Sequence, residues 1–236
     1  MPHDLETFAA RRAEVLRRMA LEGAPAVLVL PAAPVYVRNN DVEHDYRQDS
    51  DFFYLTGLDE PESVLVLLAP EGRSLLFVRP RDPERETWDG PRVGVEGAVA
   101  TLGVHEALPG GDLAAELPRL LEDRRRLHYR LGRNRAFDDR VLDALDRVRA
   151  RARRGVAAPT ELVDPGVILH EMRLVKSAAE LALMGEAADI TAEAHGRAMA
   201  FTRPGRREYE IEAVLLETFR RRGAERAAYG SIVGSG

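Results

Sequence analysis

A single break in pattern governs the architecture open to this chain. Over Val156–Pro165, where Gly155, Pro159, Asp164 and Pro165 interrupt any regular element, an alternation of β-rich runs and helical patterns gives way to two helices and a single terminal strand pattern. Before the break, Ala26–Leu30, Phe52–Thr56, Ser63–Leu68, Ser74–Val78 and Leu127–Leu131 read as strands separated by Pro, Gly and Asp clusters. Helical patterns lie between or after them at Glu84–Trp88, Glu96–Leu102, Asp112–Glu122 and Asp138–Arg149, with an opening amphipathic helix over Asp4–Leu21. This mixture predicts an α/β domain, a mixed sheet with flanking helices, over 1–165. After the break, Ser177 and Glu180 form a capping box that starts a long helix. Its three- and four-residue spacing, Leu181, Met184, Ala188, Thr191, His195 and Met199, predicts an apolar face that ends at Pro204-Gly205. A second helix is predicted over Glu208–Arg222, then a strand within AAYGSIVGSG. Two helices and one strand cannot close a sheet, so the second domain, 166–236, is expected to be incomplete unless Gly234-Ser235-Gly236 is a linker remnant.

Composition removes several classes of function. The 236 residues contain no cysteine, which excludes disulfides, thiolate metal sites and cysteine nucleophiles. The most membrane-like stretch, Ala24–Val37, is interrupted by Pro25, Pro31 and Pro34 and falls short of the roughly 18 to 20 apolar residues that a span needs. No secretory pattern opens the chain, so the sequence reads as cytoplasmic. Net charge is −5. The thirteen arginines and six acids of Arg119–Arg154 can be read as a nucleic-acid stripe. A solvated helix face is the better reading, because Phe137, Val141, Leu142, Leu145 and Val148 make one apolar side of that segment. No nucleic-acid or membrane partner is expected.

Catalytic constellations are sparse. There is no HExxH, no GxSxG turn and no glycine-rich phosphate loop. His44 lies among Glu43, Asp45, Asp49 and Asp51, a pattern read as a solvated or interfacial loop in preference to a metal cluster. His195 is read as a core histidine on the apolar face of its helix, and His170 as a helix or linker residue. Trp88, the only tryptophan, stands between charged residues, where it either packs under a loop, the commoner arrangement, or serves an interface or substrate pocket.

Four ordered blocks, YRQDSDFFYLTGLDEPESVLVL, ETWDGPRVG, VDPGVILHEMRLVKSAAEL and AAYGSIVGSG, together resemble the bacterial Xaa-Pro aminopeptidase (aminopeptidase P) family over nearly the whole chain. The resemblance implies a creatinase-like amino-terminal domain followed by a pita-bread catalytic domain. It also implies a hydrolase with two divalent metal ions, usually manganese, whose bridging hydroxide attacks the bond before proline. The blocks that carry the family's metal ligands, two aspartates, a histidine and two glutamates, have no counterpart among these residues. The chain as written is therefore expected to bind no metal and to be catalytically incompetent, serving in oligomer assembly and substrate restriction. By resemblance, Tyr229 would support a metal ligand near the substrate pocket, and Trp88 would reach toward a neighbouring subunit's pocket. Expected partners are proline-containing peptides and copies of the chain in a homo-oligomer, a dimer or tetramer. The alternative is a naturally shortened, non-catalytic interaction or peptide-binding protein.

Overall fold

The computed structural model describes residues 5–235. Asp4, expected to open the first helix, and Gly236, the last residue of AAYGSIVGSG, lie outside the described residues. Two compact units divide after Leu174.

The first unit is built on a six-stranded mixed sheet in the order β6-β5-β4-β1-β7-β8. Its strands are β1 (Ala26–Pro31), β4 (Val64–Ala69), β5 (Arg73–Val78), β6 (Glu106–Pro109), β7 (Arg126–His128) and β8 (Glu161–Val163). β1 and β4, and β4 and β5, pair antiparallel, whereas β5 and β6, β1 and β7, and β7 and β8 pair parallel. A separate hairpin joins β2 (Val37–Asn39) and β3 (Val42–Glu43). Residues in β1 alternate between two cores: Ala26, Leu28 and Leu30 face one layer, Val27 and Val29 the other. A strand buried on both sides needs a continuous apolar run, which is what AVLVL supplies.

Helices cover both faces. On one lie α1 (Leu5–Leu21), α2 (Ser50–Thr56), α4 (Gly94–Leu102) and α7 (Gly166–Leu174); on the other lie α5 (Leu113–Leu121) and α6 (Arg135–Arg149). The short α3 (Pro83–Asp89) buries none of its residues. Arg12 of α1 is 2% exposed and donates to the carbonyls of Leu55, at 2.8 Å, and of Leu102 and Gly103, at 2.8 and 2.7 Å. One guanidinium thus satisfies carbonyls in the last turn of α2 and at the end of α4. Burial lowers its pKa to about 10, which leaves it charged at neutral pH.

Phe52–Thr56, expected as a strand, is helical. Asp49 caps α2 by accepting from the Asp51 and Phe52 amides at 2.9 and 3.0 Å, and Gly57 ends it at φ 68°, where an added Cβ would clash with the Phe8 ring. Caps with seven residues between them override the strand preference of the enclosed aromatics. β6 and β8 were not expected, and both are short edge strands with little apolar signal. The compositional break near residue 165 precedes the division of the units because α7 buries Ile168 and Leu169 in the first core.

The second unit is an antiparallel helix pair, α8 (Ala178–Phe201) and α9 (Glu208–Arg221). The capping box forms as expected, with the Ser177 hydroxyl accepting from the Glu180 amide at 3.2 Å and the Glu180 carboxylate accepting from the Ser177 amide at 2.8 Å. Arg197 pairs with Glu217 and donates to the buried Thr218 hydroxyl at 2.6 Å, while Glu193 pairs with Arg221 and Arg222. The predicted apolar face of α8 is displaced. The buried residues are Ile190, Ala194 and Ala198, whereas Leu181, Met184, His195 and Met199 are exposed. Small side chains let the two helices approach, so contact forms along the alanine side. The AAYGSIVGSG run is irregular through Ser235, with no strand among the described residues of its unit to complete a ladder, and the Ser235 amide donates to Glu208 at 2.9 Å.

Candidate functional site

The first unit places a crevice of about 330 Å3 beyond the carboxyl ends of β1 and β7. These neighbours run parallel, but β1 leads toward α2 on one face of the sheet and β7 leads into α6 on the other. Chains that diverge in this way leave a cleft between them, the usual location of ligands in open α/β sheets. One wall is set by Gln48, 8% exposed, whose carbonyl accepts from the Ala33 and Asp49 amides, each at 2.8 Å. Its amide nitrogen donates to the Leu58 and Glu60 carbonyls at 3.1 and 2.9 Å, so every polar atom of this side chain is engaged. The opposite wall is the loop after β7. There the Tyr129 hydroxyl donates to Asp138 at 2.6 Å, and Asp138 also accepts from the Gly132 amide at 3.1 Å. Burial and the Asp138 charge push the Tyr129 phenol above its ordinary pKa, so it remains a donor.

Asp51 lies at the base of this region, 4% exposed. It pairs with Arg173 and lies 3.5 Å from Arg130 Nη2 and 3.6 Å from His170 Nε2. Arg130 Nε also donates to both Asp164 oxygens at 3.1 Å. Burial tends to raise the Asp164 pKa, but the Gly166 amide and Arg130 outweigh it and hold the carboxyl below its usual range. α2, the loop after β7, the end of β8 and α7 are thereby tied through charge-assisted hydrogen bonds. Sequence spacing gave no sign of this grouping, since residues 51, 130, 170 and 173 meet only because β7 lies beside β1.

Trp88 belongs to a different part of the same unit. Packing under a loop is overturned: the ring is 88% exposed on α3. The helix beneath it is nevertheless held. Asp82 caps it, Glu86 accepts from Arg81 at 2.6 and 2.7 Å and from the Asp82 amide at 3.0 Å, and Arg92 spans the Pro80 carbonyl and Asp89. An ordered helix thus presents a large ring to solvent, an arrangement that leaves its apolar area available to a partner.

Tyr229 lies in the second unit, 78% exposed after α9, beside Ile232 at 92%. His195, expected in the core, is exposed, with Nδ1 2.9 Å from the Thr191 carbonyl oxygen. His44 is exposed, as expected of a solvated loop. Of its acidic neighbours, Asp49 and Asp51 are engaged by arginines. Among the described residues no group of three or more His, Asp or Glu side chains is arranged to hold a metal ion. In the second unit Glu193, Glu210 and Glu217 are all engaged by arginines, so this donor set does not fit a metal centre. The arginines of the basic segment are largely spent on local acids, including Glu116, Glu71, Glu161 and Glu122. No helix among the described residues is long and apolar enough to cross a membrane.

These features define a class: an α/β domain with a ligand-sized crevice, followed by a helical unit. Residues 8–129 match the model "Aminopeptidase P, N-terminal domain", and residues 182–236 match "Metallopeptidase family M24". The chain belongs to the aminopeptidase P family. It is 40% identical to the Xaa-Pro aminopeptidase of Escherichia coli over 98% of its length and 52% of that protein. With the Xaa-Pro aminopeptidase of Haemophilus influenzae it shares 39% identity, covering 98% of this chain and 51% of the relative. The solved structure of Pseudomonas aeruginosa aminopeptidase PepP superposes with a TM-score of 0.92 at 46% identity, over 98% of this chain and 52% of that one. The chain thus spans about half the length of the relatives it matches.

Proposed function

We propose that this chain performs the recognition and assembly tasks of an Xaa-Pro aminopeptidase and is itself unable to cleave peptides. In this reading it forms a homo-oligomer, a dimer or tetramer, in which Trp88 faces the peptide pocket of a neighbouring subunit. That arrangement restricts access to short peptides with a free amino end. Two divalent ions, manganese by preference, would be held by groups other than the described residues, with the Tyr229 hydroxyl supporting one ligand carboxylate. When bound, such ions supply a water of lowered pKa as the nucleophile.

The observation that carries this reading is the exposed Trp88 on an internally braced helix, in a chain that among its described residues gathers no group of acids and histidines able to hold a metal ion. The 236-residue chain, given manganese and an Xaa-Pro dipeptide, is expected to show no turnover above a protein-free control. Clear turnover overturns the reading. Trp88→Ala is expected to weaken self-association at least about tenfold by light scattering, as loss of a buried aromatic anchor does.

A second reading, a non-catalytic interaction protein, is favoured by the exposed apolar residues Leu181, Met184 and Met199 of α8. Co-purification with a longer homologue, without dependence on Trp88, would support it over the first.

A further inference from the structure

The crevice beyond β1 and β7 has an uneven polar inventory. Its carboxylate acceptors are engaged. Asp49 accepts from two amides through Oδ1 and pairs with Arg133 at 2.7 Å through Oδ2, and Asp51 pairs with Arg173 through one oxygen and lies near Arg130 and His170 with the other. Several donors are not used up. Among the described residues, the Arg47 guanidinium has no partner, nor do Arg130 Nη1, the Asn134 amide nitrogen and the Ser50 hydroxyl, and all four residues line the crevice. Arg130 and Arg133 are balanced by the aspartates that hold them, so the unspent charge is that of one guanidinium, Arg47. The floor is apolar, formed by Leu30, Pro31 and Ala32 at the end of β1.

A cleft with spare donors, one uncompensated positive charge and an apolar floor suits a monoanion with an apolar body. The volume lies at the small end of the range for ligand pockets. From this juxtaposition at the divergence of β1 and β7 we infer that the first unit binds a small organic monocarboxylate, with its carboxylate on Arg47 and Arg130 and its aliphatic part against Leu30–Ala32. The site lies wholly within the first unit and does not depend on peptide hydrolysis or on the role assigned to Trp88.

The test titrates the 236-residue chain with isovalerate at constant ionic strength while amide shifts are followed by NMR. Saturable shifts centred on Ala33, Gln48, Arg130 and Asn134 are expected. Arg47→Glu should weaken binding at least about tenfold, and Arg47→Gln should weaken it by less. Both should leave the thermal midpoint unchanged, because Arg47 makes no hydrogen bond or ion pair among the described residues. Inorganic phosphate should bind at least about tenfold more weakly than isovalerate. The absence of saturable shifts, phosphate binding as tightly as isovalerate, or equal weakening by the distant Arg153→Glu would overturn the inference.

Discussion

The two units differ in how they bury their apolar residues. In the first, strands such as β1 are enclosed on both faces, and Leu28, Leu67, Phe77 and Leu117 are at most 1% exposed. In the second, α8 and α9 bury Ile190, Ala194, Ala198 and Thr218 against each other, while Leu181, Met184, Met199 and Ile232 remain in solvent. At about 25 cal/mol per Å2 of apolar area, the first arrangement stabilises its elements strongly and the second only weakly. The first unit therefore holds the larger share of the buried apolar area, and the helices of the second unit gain less from packing.

The sharpest way to break this contrast is to delete core volume on each side. Phe77→Ala is expected to destabilise the first unit by about 3–5 kcal/mol in urea unfolding, whereas Ala194→Gly should change that transition by less than about 1 kcal/mol. Equal effects would mean that the units share one cooperative transition. Asp51→Asn comes next. It leaves Arg130 and Arg173 without their shared carboxylate, at an expected cost of about 2–3 kcal/mol, below the value for fully buried pairs because both guanidiniums reach solvent.

A third prediction concerns pH. His128 is fully buried, and desolvation outweighs its contact with Glu22 to lower its pKa, so the folded state favours the neutral ring. The unfolded chain then binds more protons below the ordinary value of 6.5, and stability is expected to fall as pH drops from there through the lowered folded value. The slope is at most about 1.4 kcal/mol per pH unit. His128→Gln should flatten the curve between pH 7 and 5, and an unchanged slope would exclude this origin. The smallest effect is expected from Ser177→Ala, about 1 kcal/mol, read as faster amide exchange in the first turn of α8. Protection of α8 amides equal to that of β1 would contradict the contrast between the units.

Much of this architecture is legible in the residues. AVLVL at β1 and SVLVLL at β4 carry the continuous apolar signal of enclosed strands, and Ser177 with Glu180 states where α8 begins. Local chemistry misled at Phe52–Thr56, where strand-forming side chains sit between a capping aspartate and a left-handed glycine. The α8 face was misplaced for a different reason: long apolar residues fit a helical period, but the alanines on another side allow the closer approach. The crevice was the least legible feature. Asp51 was visible only as one of several acids and Arg130 as one of thirteen arginines, because what joins them is the pairing of β1 with a strand about a hundred residues away.

Arg12 carries a consequence for how the first unit can move. By gripping the ends of two helices at once, this side chain makes the fraying of either one felt by the other, and it binds both to the rotation of the opening helix about its own axis. A lysine ammonium, lacking a flat fork, cannot hold carbonyls of α2 and α4 together in this geometry. Opening at either terminus is thus a joint event in which two helices loosen together.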